Sequence, residues 1–282
     1  MSLSLKNIMI ISLMVITFVS CSSDDTTTPI NELQGLLKVQ EIQNATHTAE
    51  LYTATGKLVQ GYNDITIRLK NRITNTYETN AAISWSPIMY MMNMQHSCPA
   101  SGIEKVTTAS TLYKGFIIFQ MASNDSEYWQ LNLAYSIQGQ DYNLTDTLVI
   151  QPSAKRIVTT FTGADDSRYV MAWVAPQLPK VALNDYAVAV YKMENMMQFV
   201  PVNGYTVKID PRMPSMGNHS SPNNVHASQN NVNDFYWGKL ALTMTGYWKI
   251  NLQLINTEGS VVKGEPITTE VPESSLFFEI EF

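Results

Sequence analysis

The residues with the most chemistry to offer in this 282-residue chain are thioethers and imidazoles grouped closely in sequence. Met89, Met91, Met92 and Met94 run up to His96 and Cys98, and Met213 and Met216 run up to His219. A thioether is a soft, neutral donor and an imidazole a borderline one. Soft sulfur ligands select Cu(I), whereas carboxylates hold Mg or Ca. A thioether needs no deprotonation, so acid would weaken such a site mainly by protonating its histidine. Zinc fits poorly, because each cluster offers one His and no paired carboxylates. Cys98 would add a thiolate to the first cluster, which its counterpart Ser221 could not do strongly. The first cluster has Asn93 at the place matching Met216, flanked by Met92 and Met94.

The same residues also have a plainer reading. Met is an adaptable filler of cores, and Met196-Met197 is a Met pair with no ligand beside it. Yet a core strand alternates with polar residues, and Met89-Tyr-Met-Met-Asn-Met94 does not. Residues 213–219 contain Pro, Gly, Ser and Asn and read as a loop. Metal binding and loop packing both stay open, as do ligand, reactive thiol and small buried hydrophobe for Cys98.

The elements that must carry these clusters read as strands. Past residue 45, apolar residues fall at every second position, as in Asp64-Ile-Thr-Ile-Arg-Leu and Trp248-Lys-Ile-Asn-Leu-Gln-Leu. That is the period of a half-buried strand. Many short strands with Asn, Gly, Ser, Asp and Pro between them suggest β-sandwiches. The pattern occurs twice. Asn63-Asp64 matches Asn184-Asp185, His96-Ser-Cys-Pro matches His219-Ser-Ser-Pro, and Gly115 and Met121 match Gly238 and Met244. Trp129-x-Leu-x-Leu matches Trp248-x-Ile-x-Leu. A repeat of this length is too long for a solenoid unit. It predicts two tandem domains of one fold, residues 45–162 and 163–282, joined near Gly163 to Ser167.

The first residues read as an address. One cation, Lys6, precedes an apolar run from Ile8 to Val19, which is short for a membrane span and suits a secretory signal peptide over residues 1–20. Phe18-Val-Ser-Cys21 resembles the lipobox of bacterial lipoproteins, which implies cleavage before Cys21 and lipidation of its thiol; the alternative is an ordinary signal peptide with a chance Cys. Lipid chains then anchor the chain to a membrane without a spanning helix. Residues 21–44 are expected to be the lipidated Cys and a flexible tether. Asp24-Asp25 resembles the sorting signal of surface lipoproteins, and followed by Thr26-Thr27-Thr28-Pro29 it also reads as a plain solvated tether; an outer-membrane or cell-surface location is expected.

The second repeat also resembles the YtkA-like domain family, related to FixH-like proteins, over roughly residues 181–255. The matching features are Tyr186-Ala-Val-Ala-Val190, Gly204-Tyr-Thr-Val-Lys-Ile209, Met213-Pro-x-Met216 with His219, and Met244-Thr-Gly-Tyr-Trp248. The first repeat is a degenerate copy that keeps Trp85, Pro87, His96 and Trp129 but lacks the Met-Pro pair. The resemblance implies small immunoglobulin-like β-sandwiches outside the cytoplasm, and some relatives are associated with copper handling or with assembly of copper oxidases.

Composition removes other classes. The net charge of −6 speaks against nucleic acid. Two Cys cannot build a disulfide scaffold. Gly-rich phosphate loops, His-Glu-x-x-His and Gly-x-Ser-x-Gly are absent from the sequence, and no enzyme is expected. The leading expectation is an extracytoplasmic lipoprotein with all-β, tandem immunoglobulin-like sandwiches. It would bind Cu(I) through Met213, Met216 and His219, and through Met89, Met91, Met92, Met94, His96 and Cys98, for buffering or delivery to a cuproprotein or other copper-handling partner. The competing expectation is a structural or protein-interaction lipoprotein with adhesin-like modules that binds no metal.

Overall fold

The strand period in the sequence is realised almost throughout the computed structural model, which describes residues 31–282. The expected signal segment and the expected lipidation site Cys21 lie outside the described residues. The first body contains β1 (Leu37–Gln43), β2 (His47–Thr53), β3 (Leu58–Val59), β4 (Gly61–Asn71), β5 (Ala81–Tyr90), β6 (Gln95–His96), β7 (Glu104–Lys105), β8 (Leu112–Phe119), β9 (Tyr128–Ile137), β10 (Gln140–Leu148) and β11 (Ile150–Gln151). The second contains β12 (Val158–Thr162), β13 (Arg168–Ala175), β14 (Leu183–Asn195), β15 (Gln198–Pro201), β16 (Thr206–Met213), β17 (His219–Ser220), β18 (Val225–Gln229), β19 (Tyr236–Ala241), β20 (Tyr247–Ile255), β21 (Val261–Lys263) and β22 (Phe277–Glu281). The only helical element among the described residues is a 3-10 turn at Pro214–Met216.

In the first body the sheet β1-β2-β4-β8-β7 faces the sheet β10-β9-β5-β6. Their inward residues, including Ile65, Ile67, Ile117, Trp129 and Leu131, form one core. In the second, a single hydrogen-bonded sheet runs β12-β13-β14-β19-β18-β16-β20-β21 and folds over its own core of Tyr186, Val188, Tyr236, Trp248 and Leu252. Strand β18 makes the turn between layers, pairing with β19 on one side and β16 on the other. The fold is all-β and built from immunoglobulin-like sandwiches.

The repeated residues do the same work in both bodies. Asn63 is buried; its Nδ2 donates to the carbonyls of Val59 (2.7 Å) and Gly61 (2.9 Å), and its Oδ1 accepts from Val59 N–H. Asn184 does the same with Lys180 and Ala182. Each Asn thus satisfies the backbone of the irregular approach to a central strand, groups that would otherwise be buried without partners. The Trp129 indole donates to Met121 O, and the Trp248 indole to Met244 O, both at 3.0 Å. Gly115 and Gly238 mark close crossings: a Cβ on Gly115 would lie 2.7 Å from the Trp85 ring, and one on Gly238 2.4 Å from Val225 O.

The boundaries move from those expected. Strand β1 falls inside the stretch expected as tether, pairs with β2 and buries Ile42 completely. Ahead of it, the Glu32 carboxylate accepts from Thr111 N–H (3.1 Å) and lies 3.7 Å from Arg68. Strand β12 pairs with β13, so it belongs to the second body although it precedes residue 163. The join is residues 152–157, and Gly163 to Ser167 is the β12–β13 hairpin turn instead. Both differences have one cause. Each repeat begins with an edge strand of weak alternation, which gives too little period to read.

The two bodies are not beads on a string. Residues 32–282 form one compact unit. The outer faces of β4 and β8 (Tyr62, Phe116, Ile118) pack on the outer faces of β13 and β14 (Val170, Ala172, Val174, Ala187, Ala189, Tyr191), with Phe235 alongside. Tyr62, Phe116 and Phe235 pack in tilted and edge-to-face pairs with ring centroids 5.1–5.7 Å apart. An apolar junction of this kind holds domains that would otherwise move independently. Ala189 is part of it and is almost fully buried. Ala189→Arg should overpack the junction, cost about 1–3 kcal/mol, and split the thermal unfolding of the chain into two calorimetric transitions. One transition, shifted as a whole, would mean that other contacts hold the bodies together.

Candidate functional site

The two Met clusters sit at equivalent places, each at the end of a core strand and its short return. In the first, Met89 of β5 pairs with His96 of β6, and Met91 N–H donates to Met94 O (3.0 Å) to close the turn. Met89 is 0% exposed and belongs to the core. The turn instead lifts Met92 (85% exposed) and Met94 (52%) to the surface. Met91 packs half-buried against the core edge.

In the second cluster the inward series Val207, Ile209, Pro211, Met213 runs to the end of β16. Met213 is only 2% exposed and sits in the second core. The chain then reverses through the 3-10 turn, with Gly217 and Asn218 left-handed at φ 65° and 59°. Met216 and His219 are left facing solvent. Met213, Met216 and His219 therefore do not face a common ion, contrary to the expectation. The strand period extends one residue further than the Pro-Ser-Met-Gly-Asn composition suggests, and that residue is the Met.

Cys98 also lies in a core rather than at the surface. It is 5% exposed, packs in the first core and is the one free thiol of the described residues. Burial raises its thiol well above the usual range, keeping it protonated. Its counterpart Ser221 is equally buried. Position in the repeat, not reactivity, accounts for both.

What the structure brings together is different. At the junction of the two bodies a cleft of about 230 Å³ is lined by Met91, Met94, His96 and Met121 from the first body and by Met193 and Met196 from the second. Ser97 N–H donates to Met196 O (2.9 Å), tying the β5–β6 turn to the β14–β15 turn across the cleft. The His96 ring stands edge-on to Trp129, centroids 5.5 Å apart. Its Nδ1 is 2.8 Å from Ser97 O. A carbonyl only accepts, so Nδ1 carries a proton and Nε2 is the ring nitrogen left for another partner. This backbone contact is the usual way a ligating histidine is held in one tautomer.

The cleft also has a polar part. Gln120 lines it, and the Gln120 Oε1 is buried with no hydrogen-bond partner among the described residues. The Arg168 side chain and Tyr169 and Phe199 complete one wall. Among the described residues no group of three or more His, Cys, Asp or Glu gathers, so the donors assembled here are thioethers with one imidazole.

Of the expected ligands, Met91, Met94 and His96 reach the cleft, and Met89, Met92, Met213, Met216, His219 and Cys98 do not. Met121, Met193 and Met196 were missed. Met196, which reads in sequence as a pair without a ligand, comes to the cleft because β14 and β15 form a hairpin beside the first body. The other histidines are elsewhere. His47 is buried between Tyr135 and Tyr142, 3.7 Å from Glu78. His226 accepts from Ile209 N–H (3.2 Å), and desolvation followed by Lys208 lowers its pKa.

No family model and no curated protein matches the chain. Among solved structures, a DUF4785 family protein from Legionella pneumophila is 9% identical with a TM-score of 0.26, over 78% of this chain and 54% of its own. The chain thus spans about half of that structure's length. The Escherichia coli adhesin FdeC is 9% identical with a TM-score of 0.24, over 82% of this chain and 81% of its own. A tandem of immunoglobulin domains from titin is 9% identical with a TM-score of 0.19, over 73% and 88%. The likeness to YtkA-like domains rests on the sequence motif alone.

Proposed function

We propose that this chain is a non-enzymatic lipoprotein of the cell envelope that binds Cu(I) in the methionine-lined cleft between its two sandwiches. One observation carries the reading: five thioethers and one imidazole with a fixed tautomer line a single cleft. Those are the donor types that favour a soft monovalent ion over hard cations. The cleft is larger than a bare ion requires, since a water in the liquid occupies only about 30 Å³. Unbranched Met side chains with three rotatable bonds are suited to closing on an ion from such a distance. The Met pattern and the signal segment point the same way, toward copper held outside the cytoplasm.

A second reading has its own support. The volume of the cleft and the unpartnered Gln120 Oε1 suit an apolar side chain carried on a peptide whose N–H would satisfy that oxygen. In that case the chain is a protein-interaction module, and its Met residues supply adaptable packing.

Competition titration of a soluble chain starting after Cys21, with a chromophoric Cu(I) chelator under reducing conditions, separates the two. The copper reading expects one Cu(I) per chain. His96→Ala and Met94→Leu/Met196→Leu should each weaken it by about tenfold or more, equivalent to about 1.4 kcal/mol. Met216→Ala/His219→Ala should leave it unchanged. Absence of Cu(I) binding, or loss only in the Met216/His219 variant, would refute the copper reading. Anchoring is tested separately: Cys21→Ser should move the full-length chain from the detergent phase to the aqueous phase on partitioning, and retention in the detergent phase would refute lipidation.

A further inference from the structure

Sulfur in this protein is divided by exposure. Met89, Met171 and Met213 are no more than 2% exposed. Met94 and Met196, one on each side of the cleft, are 52% and 37% exposed, and Met92 and Met197 beside them 85% and 49%. In most proteins a cysteine thiolate would react with an oxidant before any thioether. Here that competitor is shut away, because Cys98 is buried in the first core. Among the described residues, the largely exposed sulfurs are Met94 and Met196 on the rim of the cleft, Met92 and Met197 beside it, and Met216 on the far hairpin.

We infer that Met94 and Met196 are oxidant-sensitive modification sites, and that their conversion to sulfoxides by hypochlorous acid closes the cleft to its ligand while the fold stays intact. The step balances. A sulfur lone pair forms the S–O bond, the O–Cl bond breaks, chloride leaves with the bonding pair, and the hydroxyl proton passes to water. Sulfur is oxidised by two electrons and the oxidant's chlorine is reduced by two. The product is polar and chiral where an apolar thioether stood, and its sulfur has lost the soft donor character that a Cu(I) site needs. Neither side chain lies in either core, so the sandwiches have no reason to unfold. The change is reversible by methionine sulfoxide reduction. The effect on ligand rests on the Cu(I) reading of the cleft, and the selectivity of oxidation does not.

The test uses the variant Met92→Leu/Met197→Leu/Met216→Leu, which removes exposed sulfurs outside the cleft. The protein is treated with hypochlorous acid in small molar excess, quenched, and divided for peptide mass mapping, circular dichroism and Cu(I) competition. Mapping should find sulfoxide at Met94 and Met196, none at Met89, Met171 or Met213, and Cys98 unmodified, with an unchanged spectrum. Cu(I) affinity should fall tenfold or more and return after treatment with a methionine sulfoxide reductase and a thiol reductant. Oxidation spread over core Met and Cys98, or full rim oxidation with undiminished Cu(I) affinity, would overturn the inference. If the untreated variant binds no Cu(I), the metal reading fails and the closing effect fails with it, while the mapping still decides whether the rim is the selectively oxidised sulfur.

Discussion

A sheet whose outer face meets water has no need of apolar residues there. The outer faces of β4, β8, β13 and β14 are apolar, and they are covered by one another. This face-to-face burial is the constraint on which the rest depends. Fully burying a Val- or Phe-sized side chain gives roughly 1.5–3 kcal/mol, and several are buried here at once. The two sandwiches thereby become one body. The cleft at the margin of the junction is framed by the surfaces that this packing holds together. Remove the junction and Met91, Met94 and His96 would have no fixed relation to Met193 and Met196.

The junction also explains why the two repeats, so alike in their Asn ties, Trp anchors and glycine crossings, are not alike in their surroundings. A tandem repeat offers two copies of every surface. Packing the outer face of one copy on the outer face of the next makes the copies inequivalent. The β5–β6 turn of the first copy is brought beside the β14–β15 turn of the second and tied to it by the Ser97 to Met196 hydrogen bond. The corresponding hairpin of the second copy, carrying Met216 and His219, faces solvent instead. The clusters are related by sequence, yet only the first lies where other donors can join it.

Much of the fold was legible. Alternation named the strands, and the recurrence of Asn63, Gly115 and Trp129 as Asn184, Gly238 and Trp248 named the repeat. The site was legible only in part. Met91, Met94 and His96 stand in one short cluster, which is readable. Met121, Met193 and Met196 join them through tertiary packing, and their spacing carries no trace of it. One signal pointed to the junction: Tyr169-Val-Met-Ala-Trp-Val174 and Tyr186-Ala-Val-Ala-Val-Tyr191 are continuous apolar runs, the mark of strands buried on both faces. Met213 was misplaced for the opposite reason. Polar loop residues begin immediately after it, while its own side chain still obeys the strand period.

The central claim is that one Cu(I) is held by thioethers from both bodies together with His96. Copper X-ray absorption on the chain loaded with a single equivalent tests it most directly. The account predicts a sulfur-dominated first shell with one imidazole, whose contribution disappears in His96→Ala and persists in His219→Ala. An imidazole lost in His219→Ala but kept in His96→Ala, or a shell without sulfur, would contradict it.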